Sequence, residues 1–177
     1  MKKTTWLLDP AHSEIFFKVK HLMITTVTGY FRKFTVTAIT DGDTFDTVDS
    51  IDFAAEIDSV DTNNAQRDEH LRSADFFNAA EQKWIKFLGT KYETLSGESK
   101  LYGSLTIGGT TKPVVINVEF GGIVTDGYGQ TKAGFTISGK INRKEFGLTW
   151  GAVTEAGNVV VSDEVKIHGE IQLIKQA

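Results

Sequence analysis

The chain has 177 residues, of which 40% are hydrophobic and 12 are phenylalanine, so we predict one globular domain over residues 1–177 and exclude a disordered chain. Its 19 basic and 23 acidic residues are interspersed, which argues against a nucleic-acid partner, because such proteins gather a basic excess on one face. The absence of cysteine excludes disulfides, thiolate metal sites and a cysteine nucleophile.

The N-terminus begins with two lysines, as a secretory signal peptide does, but only a short apolar stretch precedes Asp9 and Pro10. A signal peptide needs an apolar region of roughly 7 to 15 residues. No run of about 18 apolar residues follows elsewhere, so the sequence predicts no integral membrane segment. We therefore expect a cytoplasmic location.

Alternation of apolar and polar residues is the dominant pattern, and it predicts half-buried β-strands. It is clearest after Ile51, where Phe53, Ala55 and Ile57 share one face and acidic residues share the other. We predict about eight strands in all, at residues 13–23, 34–40, 51–59, 85–92, 100–107, 114–122, 132–141 and 164–173. Glycine-containing turns separate many of them, which is typical of antiparallel hairpins in a sandwich or a barrel.

Two segments interrupt this pattern. The acidic run from Asp41 to Asp49 lacks the alternating aspartates of a calcium loop and is predicted to be a solvated loop. Residues 61–78 are rich in helix formers and place Leu71, Ala74 and Phe77 at helical spacing. We predict a short helix or compact loop there, packed on one end of the sheet.

Four motifs follow one another along nearly the whole chain, and together they resemble the YceI-like family. They are the run from Trp6 to Met23 followed by Val27-x-Gly29-x-Phe31, the run from Ser59 to Phe77, the run from Gly103 to Val114, and Ile141-Asn142-Arg143-x-x-Phe146-Gly147-Leu148. The resemblance implies an all-β fold, an extended, lipocalin-like antiparallel barrel of eight strands with one short helix capping an end. It also implies an interior that binds a polyisoprenoid or another long-chain lipid without catalysis.

An apolar ligand of this kind needs an interior that is lined but not filled. We predict that the cavity wall and its ends include Ile15, Phe17, Val19, Met23, Phe31, Phe53, Ile57, Leu71, Phe76, Phe77, Phe120, Phe135, Ile137 and Phe146. The alternative is that these side chains simply pack the core of a filled barrel, in which case the chain is an interaction protein without a ligand.

A polar head group would need polar partners at the mouth of the barrel. The candidates are Ser13 and His21 on the first predicted strand, Arg67, His70 and Arg72 in the helical segment, and Arg143 in the last motif. Arginine suits bidentate contact with phosphate. The alternative for Arg67 is a salt-bridged brace, through Asp68, Asp75 or a strand carboxylate, that holds the helix to the barrel.

Metal and catalytic signals are weak. His12 and His21 would lie about 30 Å apart on one strand at about 3.3 Å per residue, and no metal-binding or catalytic motif is present. We therefore predict no metal, no cofactor and no enzymatic activity. A rival hypothesis keeps the barrel but makes it an enzyme, with His21 or His70 as an acid or base on an enclosed molecule. A homodimer is compatible with the sequence.

Overall fold

The computed structural model describes residues 2–151 and 160–177. In this part of the chain, eleven strands and one α-helix follow one another, with short 3-10 turns at Pro10–His12, Ile57–Ser59 and Arg143–Phe146. The elements are β1 (Lys3–Leu8), β2 (Glu14–His21), β3 (Thr25–Phe31), β4 (Phe34–Asp41), β5 (Val48–Glu56), β6 (Val60–Asp61), α1 (Ala65–Arg72), β7 (Trp84–Leu95), β8 (Glu98–Ile107), β9 (Thr110–Thr125), β10 (Thr131–Asn142) and β11 (Glu164–Lys175).

Eight of these strands form a closed antiparallel barrel. They follow one another in the order β1-β4-β5-β7-β8-β9-β10-β11, and pairing of β1 with β11 closes the ring. The other three strands, β2, β3 and β6, extend the wall from the opposite half of β11. The helix α1 follows β6 and contacts it, so the helix lies at the end of the barrel that β2, β3 and β6 extend. The predicted fold, an eight-stranded barrel with one short helix, is confirmed.

Strands β1 and β2 run along the same neighbour, β11, and the break between them has an identifiable cause. The buried carboxylate of Asp9 accepts hydrogen bonds from the Ala11 amide, His12 Nδ1 and Lys132 Nζ at 2.8–3.2 Å. Burial by itself would raise the pKa of Asp9, but the bonds from His12 and Lys132 outweigh it and lower the pKa. Asp9 therefore fixes the point at which the chain leaves one half of the wall and enters the other.

Each strand predicted from alternation is present, although several boundaries move. The predicted strand at residues 13–23 ends at His21, because Leu22 and Met23 take positive φ angles of 53° and 60° in a tight turn into β3. The predicted strand at 51–59 becomes β5 followed by a 3-10 turn, and the helix is limited to Ala65–Arg72. Strands β1, β3 and β6 were not predicted.

Candidate functional site

A continuous cavity of about 200 Å³ occupies the interior of the barrel. On β11 its lining residues extend from Val165 to Leu173. The eight residue-to-residue steps between them cover about 27 Å, which corresponds to roughly 20 Å along the axis of a barrel with tilted strands. The cavity is therefore long and narrow, and the side chains that line it come mainly from the inward faces of the strands.

Glycines opposite two aromatic rings keep the cavity open. A Cβ atom at Gly29 would lie 2.3 Å from Cζ of Phe17, its cross-strand partner, and a Cβ at Gly103 would lie 2.5 Å from Cζ of Phe87. Because such contacts are impossible, any side chain at these positions would displace the ring. The two rings therefore lie flat against the wall instead of crossing the interior.

One end of the cavity is closed by aromatic side chains around Phe45, which lies on the loop between β4 and β5. The ring of Phe45 is 4.8 Å from that of Trp6 and 4.9 Å from that of Phe135. Trp6 is fully buried and donates its indole N–H to Thr40 Oγ1 at 2.9 Å, which fixes its position. We call this the Phe45 end.

The opposite end is closed by residues that follow α1 and β10, and we call it the Arg143 end. Phe77 packs edge-on against Phe31 with ring centroids 5.7 Å apart, and Leu148 closes the lining on the other side. Among the described residues that line the cavity, Arg143 is the one that carries a charge.

Most of the donors of Arg143 are used by the backbone around it. Its Nε donates to the Ser162 carbonyl at 2.9 Å, and its Nη1 donates to the carbonyls of Leu148 and Trp150 at 2.6 Å each. Burial lowers the pKa of Arg143, and the carboxylate of Asp163, 3.9 Å away, acts in the opposite direction. Arg143 therefore ties the backbone at Leu148–Trp150 and at Ser162 to the end of β10, and it keeps a buried positive charge at the cavity end.

A second group of polar contacts holds the start of α1 to Thr62, the residue that follows β6. Arg67 donates through Nε to Thr62 Oγ1 at 2.8 Å and through Nη2 to the Thr62 carbonyl at 2.6 Å. Asp68 is buried and accepts from the Thr62 amide at 2.8 Å. The structure thus places Arg67 in a brace, but its partner is a threonine and not one of the carboxylates considered from the sequence.

His70 belongs to an aromatic cluster outside the cavity lining. Its Nε2 lies 2.9 Å from an oxygen of Asp75, and its ring stands edge-on to Phe76 and Trp150 at 5.1 and 4.9 Å. His70 therefore contacts a carboxylate and two aromatic rings, and it does not line the cavity.

Eight of the residues predicted for the ligand site line the cavity, and eleven do not. The eight are Ile15, Phe17, Phe31, Phe53, Phe77, Phe135, Ile137 and Arg143. Among the others, Ile57 and Phe146 are buried in the core, Leu71 and Phe76 pack against it, and Arg67 and His70 make the contacts described above. Ser13 bonds to the backbone of Gln172, and Met23 and Phe120 are exposed. Val19 and His21 lie within the last three residues of β2 and outside the lining.

Sequence reasoning missed several lining residues. Val36 and Ala38 on β4 and Leu101 and Leu105 on β8 share the inward face of strands that were predicted, so alternation could have found them. Alternation could not have found Phe45, because it lies in the acidic run that the sequence predicts to be a solvated loop.

Within residues 2–151 and 160–177, the structure has no helix that is long and apolar enough to cross a membrane. In the same residues, no three histidine or carboxylate side chains come together as a metal site would require. The cytoplasmic location and the homodimer stay predictions.

Comparison with known proteins gives a consistent result. The sequence profile of the YceI-like domain matches residues 6–173. A UPF0312 protein of Staphylococcus epidermidis is 37% identical over 172 residues, which cover 96% of each chain. The crystal structure of the Campylobacter jejuni YCEI protein is 32% identical, with a TM-score of 0.76 over 96% of this chain and 97% of that one.

A more distant structure shares the fold alone. It is a polyisoprenoid binding domain from Saccharophagus degradans implicated in plant cell wall breakdown, 13% identical, with a TM-score of 0.64 over 97% of this chain and 98% of that one.

Proposed function

The chain belongs to the YceI-like family, and on that premise we propose that it binds a long-chain apolar or amphiphilic lipid, a polyisoprenoid or a fatty-acid-like molecule, inside the barrel. It would carry, store or sequester this ligand without changing it. The observation that carries the proposal is the long internal cavity with an apolar wall. The polyisoprenoid binding domain that shares the fold supports the same ligand class.

The wall chemistry favours a hydrocarbon guest over water. A cavity lined by aliphatic and aromatic groups offers water no hydrogen-bond partner, and apolar cavities of about 150 Å³ are known to stay dry and to take up small apolar guests. Each methylene moved from water into such a site contributes about 0.8 kcal/mol. A chain of several isoprene units therefore gains enough to offset the cost of ordering it, without any polar contact along its length.

The charge of Arg143 suggests how the ligand is oriented. Its nearest described carboxylate is 3.9 Å away and half exposed, so its positive charge is only partly balanced at the cavity end. A phosphate or carboxylate head group would be favoured there electrostatically, while the tail extends towards Phe45. Because most donors of Arg143 are already engaged by carbonyls, this would be a charge interaction and not a bidentate one.

The enzymatic alternative has less support from the described residues. His70 is bonded to Asp75 outside the lining, and His21 is exposed at the end of β2. An acid or base must reach the reacting atom of an enclosed molecule, and neither side chain borders the cavity.

Extraction of the purified protein with organic solvent, followed by mass spectrometry, tests the proposal. We expect a long-chain lipid near one molecule per chain, recovered unchanged after incubation.

Two neighbouring alanines on β5 supply a matched pair for binding: Ala55 lines the cavity and Ala54 faces outward. Ala55→Leu should lower the lipid content and Ala54→Leu should not. An empty protein that also fails to bind added isoprenoid alcohols, or turnover of the added compound, would contradict the proposal.

A further inference from the structure

We propose that Phe45 sets the longest hydrocarbon chain that the barrel accepts, by closing the far end of the cavity with its ring. This inference rests on the proposed function and adds the residue that determines chain-length specificity. The loop concerned, residues 42–47, joins β4 to β5 and carries a single aromatic side chain among acidic and small residues.

Phe45 lies between the cavity and the surface. It is 7% exposed and lines the cavity, whereas Phe120, whose ring centroid is 6.1 Å away, is 44% exposed and lies outside the lining. Phe135, 4.9 Å from Phe45 on the inner side, belongs to the lining. The ring of Phe120 also lies 5.3 Å from that of Phe135, so the three rings form one cluster. Phe45 and Phe135 line the cavity, and Phe120 lies on the solvent side of the cluster.

Phe45 differs from the other lining residues at this end because it lies on a loop and not on a strand. The other lining residues near this end, such as Val36, Phe135 and Leu173, project from strands whose positions are fixed by pairing on both sides. Phe45 alone among the described lining residues at this end comes from a loop. Removal of its ring therefore opens the end without removing any part of the barrel wall.

Contacts of neighbouring residues hold the loop independently of the ring. Thr40 Oγ1 donates to the Gly42 carbonyl at 2.8 Å. The carboxylate of Asp43 accepts from Thr4 Oγ1 and from Lys175 Nζ, each at 2.8 Å, and the Asp41 amide donates to the Thr47 carbonyl at 3.0 Å. Because none of these bonds involves the side chain of Phe45, we expect the loop to keep its course in Phe45→Ala.

The test measures affinity of the full chain, freed of lipid, for a series of all-trans isoprenoid alcohols from geraniol through farnesol and geranylgeraniol to longer members. In the wild type, affinity should rise with each unit, by about fourfold per further buried methylene, until the chain reaches Phe45, and then stop rising. In Phe45→Ala the rise should continue for at least one more unit, with at least about tenfold higher affinity for that longer alcohol.

Phe87→Ala is the matched control, because Phe87 lines the same cavity with nearly the same exposure, 8%, but lies in the middle of the wall on β7. It should widen the cavity and change affinity for all lengths without moving the limit. Phe120→Ala, which removes the outer ring and leaves Phe45 in place, should also leave the limit unchanged. If Phe45→Ala does not fold, Phe45→Leu trims the ring while keeping an apolar side chain and should move the limit by a smaller step.

The outcomes separate the two proposals. A wild type that binds no member of the series overturns the proposed function, and the role of Phe45 with it. A wild type that binds with a clear length limit, unchanged in Phe45→Ala and Phe45→Leu, leaves the binding function standing and overturns the role of Phe45. A limit that moves equally in Phe87→Ala would also overturn it, since cavity volume rather than the closed end would then decide.

Discussion

The two ends of the cavity are closed in different ways. At the Arg143 end, one buried guanidinium binds the carbonyls of Leu148, Trp150 and Ser162, so several segments of backbone are fixed by one side chain. At the Phe45 end, closure depends on the packing of one ring from a loop whose polar anchors, such as Asp43, lie near the surface. Hydrogen bonds to buried carbonyls are costly to break, whereas an apolar contact yields more gradually. The difference predicts that the Phe45 end tolerates substitution better than the Arg143 end, where several carbonyls would lose their donor.

The largest expected effect is at the Arg143 end. Arg143→Met should lower the free energy of unfolding by about 3–5 kcal/mol, because it leaves several buried carbonyls without a donor. Urea denaturation measures this. The adjacent Lys144→Met removes an exposed ion pair with Asp163, 3.3 Å long, and should cost under about 1 kcal/mol. Equal losses in the two variants would show that Arg143 is not the residue that fixes this end.

The next effect concerns the wall close to the Arg143 end. Gly29→Ala should cost about 1–3 kcal/mol, because the new methyl group would occupy the place of the Phe17 ring. The displaced ring would enter the cavity and lower affinity for isoprenoid alcohols by about tenfold, a change that titration of the lipid-free protein measures. Gly127→Ala is the control: a Cβ at that turn position meets nothing within 4 Å, and both stability and affinity should stay unchanged. Unchanged affinity in Gly29→Ala would mean that the ring finds room outside the cavity.

Much of this wall could be predicted from the sequence, but the extent of the cavity and the residue that closes the Phe45 end could not. Alternation identifies the inward side of a strand wherever the backbone is regular, and Phe53, Phe135 and Ile137, which it predicts to face inward, line the cavity. It does not tell how far along the strand the cavity extends. Met23 was assigned to the face that carries Ile15, yet it is 57% exposed because the strand turns before reaching it.

The contacts that residues make at the two ends depend on tertiary structure, which no local pattern encodes. Arg143 was expected to meet a head group, since its chemistry suits phosphate, but the fold brings backbone carbonyls within reach of its donors first. Acidic neighbours dominate the sequence around Phe45, so the pattern predicts a solvated loop there. A single large apolar residue within such a run is the one signal that could have identified it.

A smaller effect is expected for the brace of the helix. Arg67→Ala removes two hydrogen bonds to Thr62 on a largely exposed side chain and should lower the free energy of unfolding by about 1 kcal/mol. Affinity for a phosphorylated isoprenoid should stay the same, because Arg67 does not border the cavity. Gln66→Ala on the exposed side of α1 should change neither quantity. A selective loss of affinity for the phosphorylated ligand would return Arg67 to the head-group site.

The smallest effect is a pH dependence at the Phe45 end. The hydrogen bonds from Lys175 and Thr4 hold the pKa of the Asp43 carboxyl below its ordinary value of 3.8. Because this pKa is lower in the folded than in the unfolded chain, the ionised carboxylate contributes stability that is fully present above the unfolded value. That contribution is lost as the pH falls through the folded value.

Asp43→Asn should therefore be slightly less stable than the wild type at neutral pH, and the difference should shrink once the pH falls below about 4. Urea denaturation at both pH values measures this, and Asp52→Asn, on the outward face of β5, serves as the control. The isoprenoid series adds a second measurement, since loosening the loop should raise affinity for the first alcohol beyond the wild-type limit. If Asp43→Asn leaves that affinity unchanged while Phe45→Ala raises it, the ring closes this end without help from the acidic loop.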